Sequence, residues 1–296
     1  MSATTVVPLE AGRVVRGYRV VKLLSRGGFS LVYGAVRLRD ARPVVLKEYY
    51  PASLARREGS GQVVPLAGRE ARLFDYARRL FFQESALLAG LHHPHIVPVL
   101  DFFHACGTVY SVMAYFPGVT LQQILRHRRR GELPETGILR VFGPICEGLA
   151  LLHENGLVHL DVKPGNVYLR RDGGPMLLDF GAAGKARPLM EGEIPVVSEG
   201  YSPPEQLVRG GEIGPWSDLY AVGASMRACM EGRAPLSSRR RREVDRLEPA
   251  VEAFDGRYSS RLLQAVDWAM AMDPEARPQS VAEFLAAWPQ WRREVA

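Results

Sequence analysis

The sequence predicts an α+β protein with a strand-rich N-terminal part and a helix-rich C-terminal part. Over residues 18–47, β-branched residues stand in short runs that glycines and turn residues interrupt, which is typical of strands. After Pro117-Gly118 the apolar residues recur instead at helical spacing over several long segments. We expect the two parts to join at residues 114–118.

The N-terminal part contains one unusual segment, residues 48–80, which is polar and rich in arginine. Its middle, Glu58-Gly59-Ser60-Gly61, has the composition of a loop, whereas residues 70–80 have helical composition. Helical periodicity continues over residues 81–91 and stops before His92-His93-Pro94, as a proline requires. Two further strands are predicted at residues 97–103 and 109–116.

The C-terminal part shows helical apolar spacing in separate segments and no internal repeat. Helices are therefore predicted over residues 121–130, 137–155, 217–231, 260–272 and 281–288.

The composition is that of an ordinary globular protein of one large domain or two lobes, with 296 residues of which 47% are apolar and 24% charged. No apolar run approaches the roughly 20 residues that a membrane span requires, and the N-terminus lacks a signal pattern. The three cysteines, Cys106, Cys146 and Cys229, lie far apart among apolar neighbours. We therefore expect reduced core cysteines and a cytoplasmic protein without a membrane span.

The net charge is +6, and arginine supplies most of the positive charge. Two basic runs, at residues 126–130 and 239–242, could attract nucleic acid or an acidic protein. Both runs lack interleaved aromatic residues, so the sequence favours solvated surface and predicts no specific nucleic-acid partner.

The residues that carry chemistry lie in one stretch, His159 to Leu169, followed ten residues later by Asp179-Phe180-Gly181. Asp161 can accept a proton from an attacking hydroxyl, and Lys163 can neutralise a moving phosphoryl group. Asn166 and Asp179 offer oxygen ligands for Mg²⁺. Two buried strands with polar turns would explain the apolar residues, but not why the polar residues have these types and spacings.

This order and spacing resembles the catalytic loop and metal-binding segment of the protein kinase family, in its eukaryotic-like (Hanks-type) serine/threonine branch of bacteria. The resemblance extends from about Tyr18 to Trp288. It implies a two-lobed kinase fold, with a β-rich N-lobe that carries helix C and a mainly helical C-lobe. The domain expected from it occupies residues 1–296, with the N-lobe at 14–113, the hinge at 114–118 and the C-lobe at 119–290.

The segment from Leu24 to Tyr33 resembles the glycine-rich loop that covers the phosphates of ATP, where backbone N–H groups must approach the ligand closely. Serines replace two of the three glycines of the family pattern, and two glycines between strands are also typical of a simple hairpin turn. The ATP-binding residues that the resemblance implies here are Leu24, Ser25, Gly27, Gly28, Phe29, Ser30 and Val32.

Lys47 closes the run Val44-Val45-Leu46-Lys47, which resembles the strand that carries the phosphate-binding lysine of the family. Alone it could be an edge-strand lysine. Glu84, on the predicted helix before the His-Pro-x-Ile-Val run, stands where the family has the glutamate that pairs with this lysine. The two positions together favour a phosphate-binding pair.

The adenine end of the nucleotide site is implied by the resemblance alone. Met113, Ala114 and Phe116 match the end of the fifth strand and the hinge, although a core role for Met113 fits equally well. Val45 stands where alanine is usual above the adenine, and Tyr168 stands where leucine is usual below it.

Leu160 replaces the arginine of the family's His-Arg-Asp, which in many kinases binds a phosphate on the activation loop. The corresponding loop, residues 182–197, contains no serine, threonine or tyrosine. The sequence therefore lacks both the arginine that would bind the phosphate and a loop hydroxyl that could carry it. We therefore predict activity that does not require phosphorylation of this loop.

Four further positions match family landmarks. Ser198 takes the place of the threonine that contacts the catalytic aspartate and lysine in Ser/Thr kinases, and Asp218 that of the aspartate that anchors the catalytic loop. Glu205 is expected to form a buried pair with Arg277. The lysine two residues after Asp161 favours serine and threonine over tyrosine as acceptors.

The resemblance implies an active protein kinase that uses ATP and Mg²⁺, with Mn²⁺ as the alternative metal, on protein substrates with serine or threonine acceptors. A pseudokinase that binds nucleotide or serves as a scaffold is the alternative, supported by the altered glycine loop and Leu160. A small-molecule kinase of related fold would be expected to lack the Pro-Pro-Glu and Arg277 landmarks. For the insertion at residues 49–80, a regulatory or partner-binding element and a tolerated surface insertion remain open.

Overall fold

The structure is a computed structural model that describes residues 6–128, 131–171, 173–180, 184–185, 197–288 and 291–292. The chain divides into two compact units. Unit 1 consists of Met1–His92 with Val97–Phe116, and unit 2 consists of His93–Ile96 with Pro117–Ala296.

Unit 1 is built from an antiparallel sheet, a small hairpin and one helix. Its elements are β1 (Val14–Val15), β2 (Tyr18–Arg26), β3 (Ser30–Arg37), β4 (Arg42–Tyr49), β5 (Ala55–Arg57), β6 (Val63–Pro65), α1 (Arg69–Ala89), β7 (Val99–Ala105) and β8 (Thr108–Ala114). Six of the strands form the main sheet in the order β1-β2-β3-β4-β8-β7. Along β2 the side chains of Tyr18 and Val20 are buried while Arg19 and Val21 are exposed, the alternation of a strand with one face on a core.

The arginine-rich segment contains two short strands, β5 and β6, that the sequence did not predict. Its loop-like middle is the turn of the β5–β6 hairpin, in which Gly61 adopts a φ of 88° that glycine tolerates. The two adjacent regions of helical composition form one continuous helix, α1. Each hairpin strand has three residues, which is too short for an alternation of polar and apolar residues to be recognised in the sequence.

Residues 6–13 precede the N-lobe expected from the sequence, yet they pack on unit 1. Leu9 is buried, and its backbone N–H donates to the hydroxyl of Tyr33 at 3.1 Å. The core of unit 1 therefore begins earlier than residue 14.

Unit 2 is mainly helical, with short strands between the helices. Its helices are α2 (Leu121–His127), α3 (Glu135–Glu154), α4 (Pro215–Glu231), α5 (Ser238–Glu243), α6 (Ala250–Ala253), α7 (Ser260–Ala269) and α8 (Val281–Ala286), and its strands are β9 (Gly118–Thr120), β10 (Leu157–Val158), β11 (Val167–Arg170), β12 (Pro175–Leu177) and β13 (Gly184–Lys185). The order β12-β11-β9 forms one small sheet, and β10 pairs with β13. Helix α4 lies at the centre of this unit, since nearly all of its side chains are buried.

The five helices predicted for this part are present, and four of them end earlier than expected, α3 by a single residue. Helix α7 stops at Ala269, a few residues before the turn at Pro274–Ala276, and α8 stops at Ala286. Helix α2 ends at His127; the last two residues predicted for it lie outside the described residues. In the part of the chain that the structure describes, no helix combines the length and the apolar character needed to cross a membrane.

Candidate active site

The candidate site is organised around Asp161, in the loop between β10 and β11. Lys163 donates from Nζ to both carboxylate oxygens of Asp161, at 3.0 and 2.8 Å. Asn166 Nδ2 donates to Asp161 Oδ2 and to the Asp161 carbonyl oxygen, both at 2.8 Å. Because Asp161 and Asn166 are both buried, these bonds hold the carboxylate in one orientation.

Ser198 joins the same cluster from a distant part of the chain. Its hydroxyl donates to Asp161 Oδ1 at 2.6 Å and accepts from Lys163 Nζ at 2.8 Å. The Ser198 backbone N–H in turn donates to the hydroxyl of Ser202 at 2.9 Å. The structure thus brings Asp161, Lys163, Asn166 and Ser198 together.

Asp218, at the start of helix α4, holds the backbone that precedes Asp161. Its carboxylate accepts from the backbone N–H groups of His159 and Leu160, each at 2.8 Å, and from His153 Nε2 at 2.9 Å. Complete burial disfavours the charged carboxylate, but hydrogen bonding and charge from His153 and His159 outweigh it and lower the pKa of Asp218 below its ordinary value. The side chain is therefore a charged anchor for the loop.

Two further side chains hold the same loop. Leu160 has a φ of 62°, in the left-handed region, and its carbonyl oxygen accepts from Gln206 Nε2 at 2.8 Å. His159 Nδ1 accepts from the backbone N–H of Asp161, at 3.2 Å, while His159 Nε2 lies 3.1 Å from the Leu178 carbonyl oxygen. These two contacts fix the orientation of the imidazole ring. Sequence reasoning did not identify Gln206, because a glutamine after Pro-Pro-Glu has no chemical signature of its own.

Glu205 and Arg277 form a buried, two-pronged ion pair. Arg277 NH1 lies 2.8 Å from Glu205 Oε1, and NH2 lies 3.0 Å from Oε2. Arg277 also donates to the Ala271 carbonyl oxygen at 2.7 Å, and its guanidinium lies 4.8 Å from the ring centroid of Tyr220. The hydroxyl of Ser217 donates to Glu205 Oε1 at 2.8 Å, so both partners have several contacts in the core of unit 2.

The expected metal ligands fit a metal that is held partly by a nucleotide. Asn166 uses its amide nitrogen on Asp161, which leaves the side-chain oxygen as the group available to a cation. Asp179 has a φ of 55°, a strained conformation common at functional sites. No three His, Cys, Asp or Glu side chains form a metal site within the described ranges. A Mg²⁺ ion commonly takes one or two protein oxygens and completes its shell with phosphate oxygens and water.

In unit 1 the segment expected to cover phosphates is a tight turn between β2 and β3. Gly27 donates its backbone N–H to the Ser30 carbonyl oxygen at 2.8 Å, so the turn is closed in the way the hairpin interpretation expects. Beyond its two chain neighbours, no described residue places an atom within 4 Å of the position that a Cβ on Gly28 would occupy. A hairpin turn and a phosphate-covering loop are therefore compatible at this position. Around it, Phe29 is half-buried, Ser30 is buried, and Leu24 and Ser25 are exposed.

Lys47 is buried at the end of β4, with Nζ 5.3 Å from the ring centroid of Phe81 on helix α1. It pairs across the sheet with Val32 and Ser111. Glu84 lies on α1 three residues after Phe81, on the adjoining part of the same helical face. The ammonium group of Lys47 therefore lies against the helix that carries Glu84.

The residues expected near the adenine lie on strands or just after a strand in both units. In unit 1, Val45 pairs with Met113, and the neighbouring Ala114 donates its backbone N–H to the Pro98 carbonyl oxygen at 3.0 Å. Phe116 is the last residue of unit 1. In unit 2, Tyr168 lies half-buried on β11 and pairs with β9 and β12.

The loop between Asp179 and Ser198 cannot be compared with its prediction. Residues 181–183 and 186–196, most of the segment that lacks hydroxyl groups, lie outside the described residues.

Comparison with known proteins identifies relatives over most of the chain. A family model described as the protein kinase domain matches residues 18–288. The serine/threonine-protein kinase PknL of Mycobacterium tuberculosis is 32% identical over 239 residues, which are 80% of this chain and 55% of PknL. The serine/threonine-protein kinase pkn2 of Myxococcus xanthus is 27% identical over 290 residues, which are 91% of this chain and 32% of that protein.

Solved structures give the same result. The apo form of PpkA-294 has a TM-score of 0.82 and 32% identity, covering 95% of this chain and 99% of PpkA-294. The PknI kinase domain of Mycobacterium tuberculosis has a TM-score of 0.73 and 26% identity, covering 97% of this chain and 100% of that domain. The chain spans about half or less of the length of the curated relatives described above, but nearly the full length of these two structures.

Proposed function

The chain belongs to the protein kinase family, and from this premise we propose that it transfers the γ-phosphoryl group of ATP to serine and threonine hydroxyls of protein substrates. One observation carries the proposal. The carboxylate of Asp161 already accepts a hydrogen bond from a hydroxyl, that of Ser198, while Lys163 contacts both groups. A substrate hydroxyl would need the same environment to be oriented and deprotonated.

In this proposal Asp161 orients the acceptor hydroxyl and takes its proton as the new O–P bond forms, while the bond between the γ-phosphorus and the β–γ bridging oxygen of ATP breaks and ADP leaves. Lys163 carries the positive charge that stabilises the transferring phosphoryl group. Ser198 holds Lys163 and Asp161 at a fixed separation through its two hydrogen bonds. Asp218 and Gln206 act indirectly, because they hold the backbone of residues 159–160.

The proposed nucleotide-binding residues of unit 1 lie mainly on β2, β3, β4, α1 and β8 and in the turn between β2 and β3. Lys47 binds the α- and β-phosphates in this proposal, and Glu84 is its partner. Asn166 and Asp179 supply the protein oxygens for Mg²⁺, or for Mn²⁺ as the alternative. The metal, when bound, supplies positive charge that neutralises the phosphate oxygens. Val45, Met113, Ala114, Phe116 and Tyr168 are proposed to surround the adenine.

We further propose that residues 1–296 form one kinase domain with the hinge at residues 114–118. The boundary between the two compact units, at Phe116 and Pro117, supports this division. We assign the protein to signalling in the cytoplasm, where ATP is available. The cysteines agree with a reducing compartment, since Cys106, Cys146 and Cys229 are all free.

The alternative, a pseudokinase, differs in one measurable respect: it would bind nucleotide without transferring phosphate. The test incubates the protein with labelled ATP, Mg²⁺ and a generic basic protein, beside Asp161→Asn and the matched exposed variant Asp255→Asn. We expect Asp161→Asn to lose at least about 100-fold in rate, as a missing general base does, while Asp255→Asn remains active. Equal incorporation by the Asp161→Asn variant, or no incorporation by the wild type while ATP still binds, would remove the active-kinase proposal.

A further inference from the structure

The inserted hairpin β5–β6 is part of the core of unit 1 and does not form a tolerated surface insertion. Leu54, Ala55 and Val63 are all buried and belong to the hydrophobic core of this unit. The Val63 backbone N–H donates to the Cys106 carbonyl oxygen, at 2.8 Å, in the turn between β7 and β8. The hairpin therefore packs against the end of the main sheet.

A buried ion pair connects the hairpin to strand β4. Arg57 NH2 lies 2.6 Å from Glu48 Oε2, and the two side chains are 4% and 0% exposed. The hydroxyl of Tyr33 donates to the same Oε2 at 2.9 Å, and that of Tyr110 donates to Oε1. Burial and the Glu48 charge raise the pKa of both tyrosines, which keeps them hydrogen-bond donors.

Arg57 is held on its other sides as well. Its Nε donates to the Val7 carbonyl oxygen at 2.8 Å, and NH1 donates to the Gly61 carbonyl oxygen at 3.1 Å. The guanidinium also lies 4.9 Å from the ring centroid of Tyr50. One side chain thus joins the N-terminal segment, the hairpin turn and strand β4.

Glu48 directly follows Lys47, and successive side chains of a strand point to opposite faces. On the Lys47 face, Nζ lies against Phe81, and the ring of Tyr49 lies 5.3 Å from Phe74 and 5.7 Å from Phe81, measured between centroids. Helix α1 therefore packs on one face of this strand end, and Arg57 holds the opposite face through Glu48. Fixing both faces fixes the rotation of the strand about its own axis, and with it the direction of Lys47.

We propose that Arg57 is a positioning residue for Lys47, so that the insertion sets the affinity of the protein for ATP. The inference rests on the proposed role of Lys47 in binding the phosphates of ATP. A carboxylate buried without its cation must move or take up a proton, and either change disturbs the strand next to Lys47.

The experiment measures ATP affinity by titration calorimetry, together with KM for ATP and kcat, at a temperature where circular dichroism shows every variant to be folded. Arg57→Gln removes the charge, and Arg57→Lys keeps the charge but loses the planar fork. The control Tyr18→Ala destabilises the same unit by removing a buried ring and its 2.8 Å bond to Asp101, without touching Glu48.

We expect Arg57→Gln to raise the Kd and KM for ATP at least about fivefold, and Arg57→Lys at least about twofold, because small misplacements of a ligand-binding group are costly. The KM for the protein substrate should stay near its wild-type value in both Arg57 variants. In the Tyr18→Ala control, the Kd and KM for ATP should stay near the wild-type values. If Arg57→Gln does not fold, the ATP affinity of Arg57→Lys alone is compared with that of the wild type and of the Tyr18→Ala control.

Three results would overturn the proposal: unchanged ATP affinity in the folded Arg57 variants, an equal loss in Tyr18→Ala, or a wild type that binds no ATP. A wild type that binds ATP but does not transfer phosphate would count against the proposed function only. In that case the affinity comparison still decides the role of Arg57.

Discussion

The carboxylates of this protein differ in how far along the chain their hydrogen-bond donors lie. Asp218 accepts three hydrogen bonds and fixes the backbone before Asp161, whereas the exposed Asp40 pairs mainly with its close neighbours Arg37 and Arg42. Buried carboxylates are costly unless several donors compensate them. Those that remain buried here connect distant segments of one unit.

Arg277→Ala is expected to destabilise the protein strongly, by about 3–5 kcal/mol, because Glu205 would remain buried without its cation. The pair is almost completely inaccessible, with side chains 0% and 6% exposed. Thermal and urea unfolding followed by circular dichroism measure the change. Arg233→Ala is the matched control, since the Arg233 side chain is 83% exposed and its pair with Glu231 should contribute below about 1 kcal/mol. An unchanged melting temperature in Arg277→Ala would contradict this prediction.

At the scale of elements, the turn between β7 and β8 supports the inserted hairpin through a close backbone approach. Gly107 has a φ of 73°, and a Cβ built on it would overlap the Val63 carbonyl oxygen. Arg78 of α1 also donates to the Gly107 carbonyl oxygen, at 3.0 Å. The β5–β6 hairpin, the β7–β8 turn and helix α1 therefore all meet at Gly107.

Gly107→Ala should lower the free energy of unfolding by at least about 2 kcal/mol more than Gly17→Ala. Both glycines have positive φ, so the backbone strain of about 1–2 kcal/mol is common to the two variants. Gly17 has no neighbouring atom within 4 Å of the added Cβ, so only Gly107→Ala also displaces the hairpin. Urea denaturation of both variants gives the comparison, and equal losses would show that the contact with Val63 relaxes freely.

At the scale of the whole molecule, control of the proposed activity is expected to lie outside the loop that many kinases phosphorylate. That loop contains no hydroxyl-bearing residue over positions 182–197, and Leu160 stands where an arginine would receive the phosphate. In the described structure the backbone at Leu160 is held by Asp218 and Gln206, two side chains that need no modification. The catalytic loop is thus ordered by fixed contacts.

We predict that the protein retains full kinase activity after phosphatase treatment. The purified protein is treated with phosphatase, its phosphate content is checked by mass spectrometry, and initial rates are compared with an untreated sample. A treated sample that loses most of its activity, and regains it only when phosphate is restored to the protein, would contradict the prediction.

Much of the site followed from residues that are close in the chain. Asp161, Lys163 and Asn166 lie within six positions, so the turn that gathers them is local, and their chemical types indicate the reaction. The long helices were predicted equally well, because their apolar spacing repeats over many residues. Short elements escaped prediction, as the three-residue strands β5 and β6 show.

Sequence patterns alone did not predict the contacts between segments that are distant in the chain. Glu205 and Arg277 are 72 residues apart, and the likeness to a family, rather than any pattern of spacing, suggested the pair. Gln206 was missed altogether, and Glu48 with Arg57 was assigned to a polar insertion. A charged residue looks the same in a sequence whether it is solvated or buried.

The order of residues along the chain therefore determines which chemical groups are present and which long segments become helices, since both depend on side-chain type and local periodicity. The tertiary structure decides which of the charged side chains are buried. Arg57 becomes a buried partner of Glu48 only because the hairpin, the N-terminal segment and β4 converge on one face of the sheet. The free energy of such a pair depends on desolvation and on every donor around it, which no local stretch of sequence contains.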